Sequence, residues 1–312
     1  MVDIILNRDE ERQPVIKFKF KKMDAFVSGL STGNPAGAVY LDSPDEITPE
    51  EMQRIARELK GFVSEVGYVW RIDGTTFGLR YYSSEREVEF CGHATIAIMY
   101  ELIKNNRDLM NNELVHIITN KGKLAVENRI KSDDAVFITA PAPVFSSKTV
   151  GRDRIAGAFH INESELSNEY PISIVNAGLE TLIVPLRKLS AVLSLTPSLD
   201  ALKDFCIAQG ADTIIVFSDE TANSANSFRT RVFAPTFGYL EDPATGSGNA
   251  ALGYYLIRNG KWDGMPITLE QNGSRDDPNI VRLIAKPDES GNKRILFGGN
   301  AIVRIEGEYV LV

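Results

Sequence analysis

Phe90-Cys91-Gly92-His93-Ala94-Thr95 and, about 150 residues later, Asp242-Pro243-Ala244-Thr245-Gly246-Ser247 are the two stretches on which the reading of this chain turns. Each sets small residues between a strand-like segment and the start of a helix. Ahead of the first lie Ser64-Glu65-Val66-Gly67-Tyr68-Val69 and a strand ending Arg80-Tyr81-Tyr82-Ser83. Ahead of the second lie Ala211-Asp212-Thr213-Ile214-Ile215-Val216 and Arg231-Val232-Phe233-Ala234. Helices follow, over His93 to Lys104 and Ser247 to Arg258. Such self-similarity at half the chain length predicts two alike halves.

Outward from these stretches, runs of β-branched and aromatic residues predict strands. In the first half they fall at Val15–Phe20, Ala36–Leu41, Gly67–Ile72, Phe77–Tyr82, Val115–Thr119, Leu124–Asn128 and Val136–Ala140. In the second they fall at Ile172–Val175, Thr181–Pro185, Thr213–Phe217, Arg229–Phe233, Ile267–Gln271, Val281–Ala285 and Arg294–Phe297, with a last run from Ala301 to Val312. Further helices are predicted over Thr48–Leu59, Asp153–Ala158 and Ser198–Ala208. The first of these opens with an N-cap, a Pro at the first helical position and acids in the first turn. Strands and helices do not alternate steadily, which argues against a doubly wound parallel sheet. The Pro- and Ser-rich stretch Pro141–Thr149 reads as a linker, dividing a domain over 16–140 from one over 150–299.

The chain has 312 residues, 43% of them apolar and 24% charged, and a formal charge of −8. That is a folded, water-compatible composition, and it lacks the basic footprint of a nucleic-acid binder. Lys17, Lys19, Lys21 and Lys22 alternate with Phe18 and Phe20, a strand with one solvated basic face. No apolar run approaches the roughly 20 residues of a membrane span. The first fifteen residues or so read as a polar extension, too short in apolar sequence for a signal peptide. Cys91 and Cys206 make no disulfide framework, so a cytoplasmic setting is expected.

The candidate chemistry gathers at the two turns. Gly92 and Gly246 permit close approach of a ligand, and each helix start offers free N–H groups and the positive end of a dipole. Two such ends facing each other would grip a carboxylate; the structural alternative is an ordinary pair of capped helices. Glu65 lies between Phe62-Val63 and Tyr68-Val69-Trp70, where lost hydration raises a carboxyl pKa toward proton-transfer range. Its structural alternative is an edge-strand Glu facing water. His93 is a proton donor or orienting group, or caps its own helix. Cys91 opens its turn, where a helix N-terminus is expected to lower a thiol pKa and make it a base. A thiol-pair mechanism needs a second Cys, and Pro243 is taken to stand in that place. His116 and His160 carry no assigned role, and three scattered histidines do not make a metal site. Gly246-Ser247-Gly248 is a poor match to a dinucleotide loop.

Taken together, Gly33-Asn34-Pro35-Ala36-Gly37-Ala38-Val39, Ser64-Glu65, Phe90-Cys91-Gly92-His93-Ala94-Thr95 and Asp242-Pro243-Ala244-Thr245-Gly246-Ser247 resemble the signature set of the PhzF-like (phenazine-biosynthesis-like) family. The resemblance runs from about Phe18 to the C-terminus. It implies the α+β fold of diaminopimelate epimerase: two similar domains, each a mostly antiparallel curled sheet around a central helix, with 300–312 completing the first. It implies an isomerase working without metal or organic cofactor on a small carboxylate-bearing metabolite in the cleft between domains, and a homodimer. The catalytic group it implies is Glu65, His93 and Asp242; Cys91, Gly92, Gly246 and Ser247 would hold the substrate. An amino-acid racemase or epimerase using Cys91 as one base, and a non-catalytic metabolite-binding protein of the same fold, are the competing readings.

Overall fold

The computed structural model describes residues 15–312. All of the expected N-terminal extension except Val15 lies outside the described residues. The first half contributes strands β1 (Ile16–Ala25), β2 (Asn34–Leu41), β3 (Glu65–Arg71), β4 (Thr76–Ser83), β5 (Glu87–Val88), β6 (Leu114–Thr119), β7 (Gly122–Arg129) and β8 (Ala135–Thr139). The second contributes β9 (Val144–Phe145), β10 (Ser173–Asn176), β11 (Glu180–Pro185), β12 (Thr213–Ser218), β13 (Phe228–Phe233), β14 (Glu241–Asp242), β15 (Ile267–Gln271), β16 (Asn279–Pro287) and β17 (Lys293–Gly299), followed by β18 (Ala301–Leu311). The predicted strands are all present. Val144 and Phe145, read as linker, pair with Asn176 and Val175 and so extend the second half's sheet.

Neighbours across the sheet run β1, β2, β3, β4, β6, β7, β8 in the first half. They run β10, β11, β12, β13, β15, β16, β17 in the second. The two series match position by position. Their parallel pairs, β2 with β3 and β4 with β6, recur as β11 with β12 and β13 with β15; every other pair in the two series is antiparallel. The series meet where β8 runs antiparallel to β17. The last strand, β18, returns to pair with β1 along its whole length.

Each half-sheet curls because its central helix is apolar on nearly every side and must be wrapped. Helix Gly92–Lys104 buries an unbroken run from Ala94 to Glu101 and touches β1, β2, β3, β8 and β18. Helix Gly246–Arg258 buries Gly248 to Leu256 and touches β10, β11, β12, β16 and β17. The fit is close: a Cβ added to Gly67 of β3 would lie 2.4 Å from Ile98 on the first helix. Outside the first half, helix Pro49–Glu58 closes its N-terminus with a Thr48–Glu51 capping box and packs Met52 and Ile55 against Phe18, Val39 and Tyr68. Helices Arg152–Phe159, Leu189–Ser194 and Leu199–Gln209 cover the second half, with Ile155, Val192, Leu202 and Cys206 in one cluster. Both cysteines are free and buried. Among the described residues no helix is long and apolar enough to cross a membrane.

Candidate active site

The two central helices start alike. Their N-cap residues, Cys91 (φ −128, ψ 113) and Thr245 (φ −122, ψ 113), have almost the same backbone, and neither side chain caps its helix. The first-turn N–H groups are therefore not satisfied by a capping side chain, unlike those of helix Pro49–Glu58. In both turns the residue four places on donates to the N-cap carbonyl: Thr95 Oγ1 to Cys91 O at 2.6 Å, Asn249 Nδ2 to Thr245 O at 2.8 Å. Phe297 of β17 lies against both starts. A Cβ on Gly246 would come within 2.3 Å of its ring, and one on Gly92 within 3.3 Å. Close packing thus accounts for these glycines. The matched caps also correct one expectation. The counterpart of Cys91 is Thr245, not Pro243, because the register is set by the helix start and not by the first residue of the motif.

Glu65 is the first residue of β3, and its side chain is mostly buried. Its Oε2 lies 3.2 Å from His93 Nε2, yet this buried oxygen has no hydrogen-bond partner. Burial, aided by the nearby Asp242 charge, raises the Glu65 pKa to about 7, with the Cys91 thiol acting in the opposite sense. His93 is driven down to about 4 by burial, against a smaller upward pull from the Pro35 backbone, so it is neutral at pH 7. Its Nδ1 sits 3.5 Å from Cys91 Sγ. The Cys91 thiol was expected to be acidified by the helix start. Instead burial, and then the Glu65 charge, hold it well above the usual thiol range. Here desolvation outweighs the helix dipole, and Cys91 remains a thiol at neutrality.

Asp242, on β14, is pushed up to about 6 by burial, against the bonds it accepts. It accepts from Thr245 Oγ1 and, at 2.6 Å, from Asn34 Nδ2. Ser247 stands half-buried in the first turn of the second helix. The structure thus brings Glu65, Cys91, His93 and Asp242 together beside the two helix starts.

Several residues at this site were not singled out from the sequence. Gln271, at the end of β15, donates to Asp242 O at 2.8 Å and accepts from Thr245 N at 3.0 Å and Asn249 Nδ2 at 2.6 Å. Asn279 donates to Pro243 O at 2.7 Å. Arg231 holds Glu241, the neighbour of Asp242, through two bonds of 2.9 and 2.7 Å. The available signal was a polar residue at the end of an apolar strand. Tyr239 stands close enough for Asp242, Glu65 and Cys91, after burial, to raise its pKa, so it stays a neutral phenol.

Donor atoms of Glu65, Cys91 and His93 come within 4.8 Å of one another, the spacing of a metal site. The surroundings suit an anion better, since the thiol keeps its proton and both helix dipoles present their positive ends. A cavity of about 360 Å³ opens elsewhere, lined in part by Lys21, Tyr40, Trp70, Glu101 and Asn105. Its one buried carboxylate, Glu101, is already bonded by Lys21, Tyr40 and Asn105.

Comparison with known proteins bears on the family and the fold. The profile of the PhzC-PhzF family, described as phenazine biosynthesis-like protein, matches residues 23–307. An uncharacterized isomerase, YfhB of Bacillus subtilis, is 31% identical over 90% of this chain and 94% of its own. The trans-2,3-dihydro-3-hydroxyanthranilate isomerase of Pseudomonas fluorescens is 28% identical over 93% of this chain and 98% of its own. Among solved structures, a phenazine biosynthesis protein of the PhzF family from Bacillus anthracis superposes with a TM-score of 0.82 at 25% identity, covering 96% of this chain and all of that one.

Proposed function

The chain belongs to the PhzC-PhzF family of phenazine biosynthesis-like proteins and is an isomerase, and from that premise we propose that it moves a proton on a small carboxylate-bearing metabolite with Glu65 as the proton carrier. The observation that carries this reading is the state of Glu65. It is a mostly buried carboxyl with one unpartnered oxygen and a pKa of about 7, set beside two helix starts that no side chain caps. Near neutrality such a group is about half protonated, the condition under which one residue can both take and return a proton.

The substrate carboxylate docks at the first-turn N–H groups of the two central helices, with the Ser247 hydroxyl alongside. Glu65 removes a proton from one carbon and returns it to another on the same face. His93, neutral, stands 3.2 Å from the Glu65 carboxyl and walls it in. Asp242 stays largely ionised at pH 7 and keeps the Glu65 pKa raised. A site closed from water keeps the proton from being lost to solvent. The transfer uses only groups of the chain.

The racemase reading with Cys91 as base loses support because the thiol is held protonated and its counterpart, Thr245, has no thiol. The test is deuterium uptake from heavy water into a panel of small carboxylates, comparing the wild-type chain with Glu65→Gln. We expect uptake into at least one compound by the wild type and none by the folded variant. Full exchange by Glu65→Gln would exclude Glu65 as carrier. Stabilisation of the wild type by a carboxylate that never exchanges would favour the metabolite-binding reading.

A further inference from the structure

Between β1 and β2 the chain leaves its own half and binds the other. The Phe26 carbonyl accepts from Ile280 N–H at 2.9 Å. Gly33 N–H donates to Asn279 Oδ1 at 2.9 Å. The turn there requires glycine: φ at Gly33 is +66°, and a Cβ would lie 2.6 Å from the Ala25 carbonyl. Asn34, the next residue, sends both of its Nδ2 hydrogens into the second half, to Asp242 Oδ1 at 2.6 Å and to Ala244 O at 2.9 Å.

Asn34 is completely buried, and its Oδ1 has no hydrogen-bond partner. A buried amide with one atom unsatisfied is a net cost to folding, so packing alone does not explain an amide at this place. What an apolar side chain of the same size could not supply is the pair of bonds to the second half. One of them is a short bond to a carboxylate in a dry interior, the strong kind.

We propose that Asn34 is a positioning residue: it reaches from the first half to fix the Asp242 carboxylate of the second, so that Asp242 holds its working geometry only while the two halves are closed on each other. This rests on the reading of the site given above. The other polar and charged groups around Asp242 are Thr245 on its own turn, Glu241 with Arg231 upon it, Tyr239, Glu65 of β3 and Cys91 at the first helix start. Burial and then the Glu241 charge oppose its ionisation, and Thr245, Asn34 and the Ala244 backbone N–H favour it. Opening the cleft, or removing the Asn34 amide, leaves burial and the opposing charge with only Thr245 and the Ala244 backbone N–H against them, and Asp242 then holds its proton to higher pH.

The test uses the full chain with Asn34→Ala and Asn34→Asp. The titration of Asp242 is followed by carboxyl carbon-13 NMR on aspartate-labelled protein, its signal assigned with Asp242→Asn. The pH profile of deuterium exchange is measured in parallel. For Asn34→Ala we expect the Asp242 midpoint to rise by about one pH unit and exchange at pH 7 to fall at least about twofold, as the ionised fraction of Asp242 drops from about nine-tenths to about half. Asn34→Asp keeps the size of the side chain and keeps the test open if the alanine variant does not fold. It should raise the midpoint further, because two adjacent carboxyls share one proton across neutrality. A folded variant of either kind with the wild-type midpoint overturns the proposal. The NMR titration needs no turnover, so it stands or falls separately from the proton-transfer reading tested with Glu65→Gln.

Discussion

The two helix starts share a backbone and differ in what they carry. At the first, Cys91 and His93 stand beside Glu65. At the second, Thr245 and Asn249 belong to an amide and hydroxyl network that fixes Asp242. The position in β12 that matches Glu65 is Thr213, buried and 3.2 Å, hydroxyl to hydroxyl, from Thr181. The repeat therefore conserves the backbone of the helix starts and not the side chains gathered there. Two-sided epimerisation wants a base on each face of the substrate. A site with its proton carrier in one half suits removal and return of a proton on a single face.

The comparison is broken most directly through Glu65. Glu65→Gln should lower exchange by about 10³-fold or more, the upper range of what a positioned acid/base contributes; a loss below tenfold would mean that the first half does not hold the carrier. The frame itself is probed by Gly246→Ala and Gly92→Ala. The nearer approach of Phe297 at Gly246 predicts the larger destabilisation there, of about 1–3 kcal/mol, with Gly92→Ala costing less. Denaturant titration of both variants checks it, and an inverted order would show that Phe297 does not press harder on the second start.

The asymmetry also has a pH signature in stability. The Glu65 pKa is raised in the fold from 4.5 to about 7, so between these values the folded chain binds more protons than the unfolded one. Stability from this group is then lost as pH rises through that window. Glu65→Gln should gain on the order of 3 kcal/mol over the wild type at pH 8 and nothing at pH 4, as read from melting curves across pH. The smallest effect belongs to Cys91. Cys91→Ser should cost at most about tenfold in exchange, because a protonated thiol is not the base. A loss matching that of Glu65→Gln would restore the thiol mechanism and make the first turn a two-base site.

Much of the frame could be read in the residues. The strand runs, helix Pro49–Glu58 with its capping box and the two turns follow from patterns a few residues long. Helix Leu189–Ser194 was not read, being short and without a capping side chain. What escaped at the site depends on distance along the chain. Asn34 meets Asp242 across 208 positions and Gly33 meets Asn279 across 246, and no local pattern announces such bonds. The pairing of Cys91 with Thr245 instead of Pro243 is a shift of two residues that only the helix starts reveal. The direction of the Cys91 shift was misjudged because a helix start is visible in sequence and the depth of burial is not.

The return of β18 to β1 sets an order of assembly. Strand partners there lie at opposite ends of the chain, Ile16 against Leu311 and Ala25 against Ala301. During synthesis the first half is made early but lacks the strand that pairs with β1 until residues 301–311 leave the ribosome. The strands of the second half, by contrast, come from one continuous stretch between Val144 and Gly299. The half made later can complete its own strands first, and the half bearing Glu65 closes last.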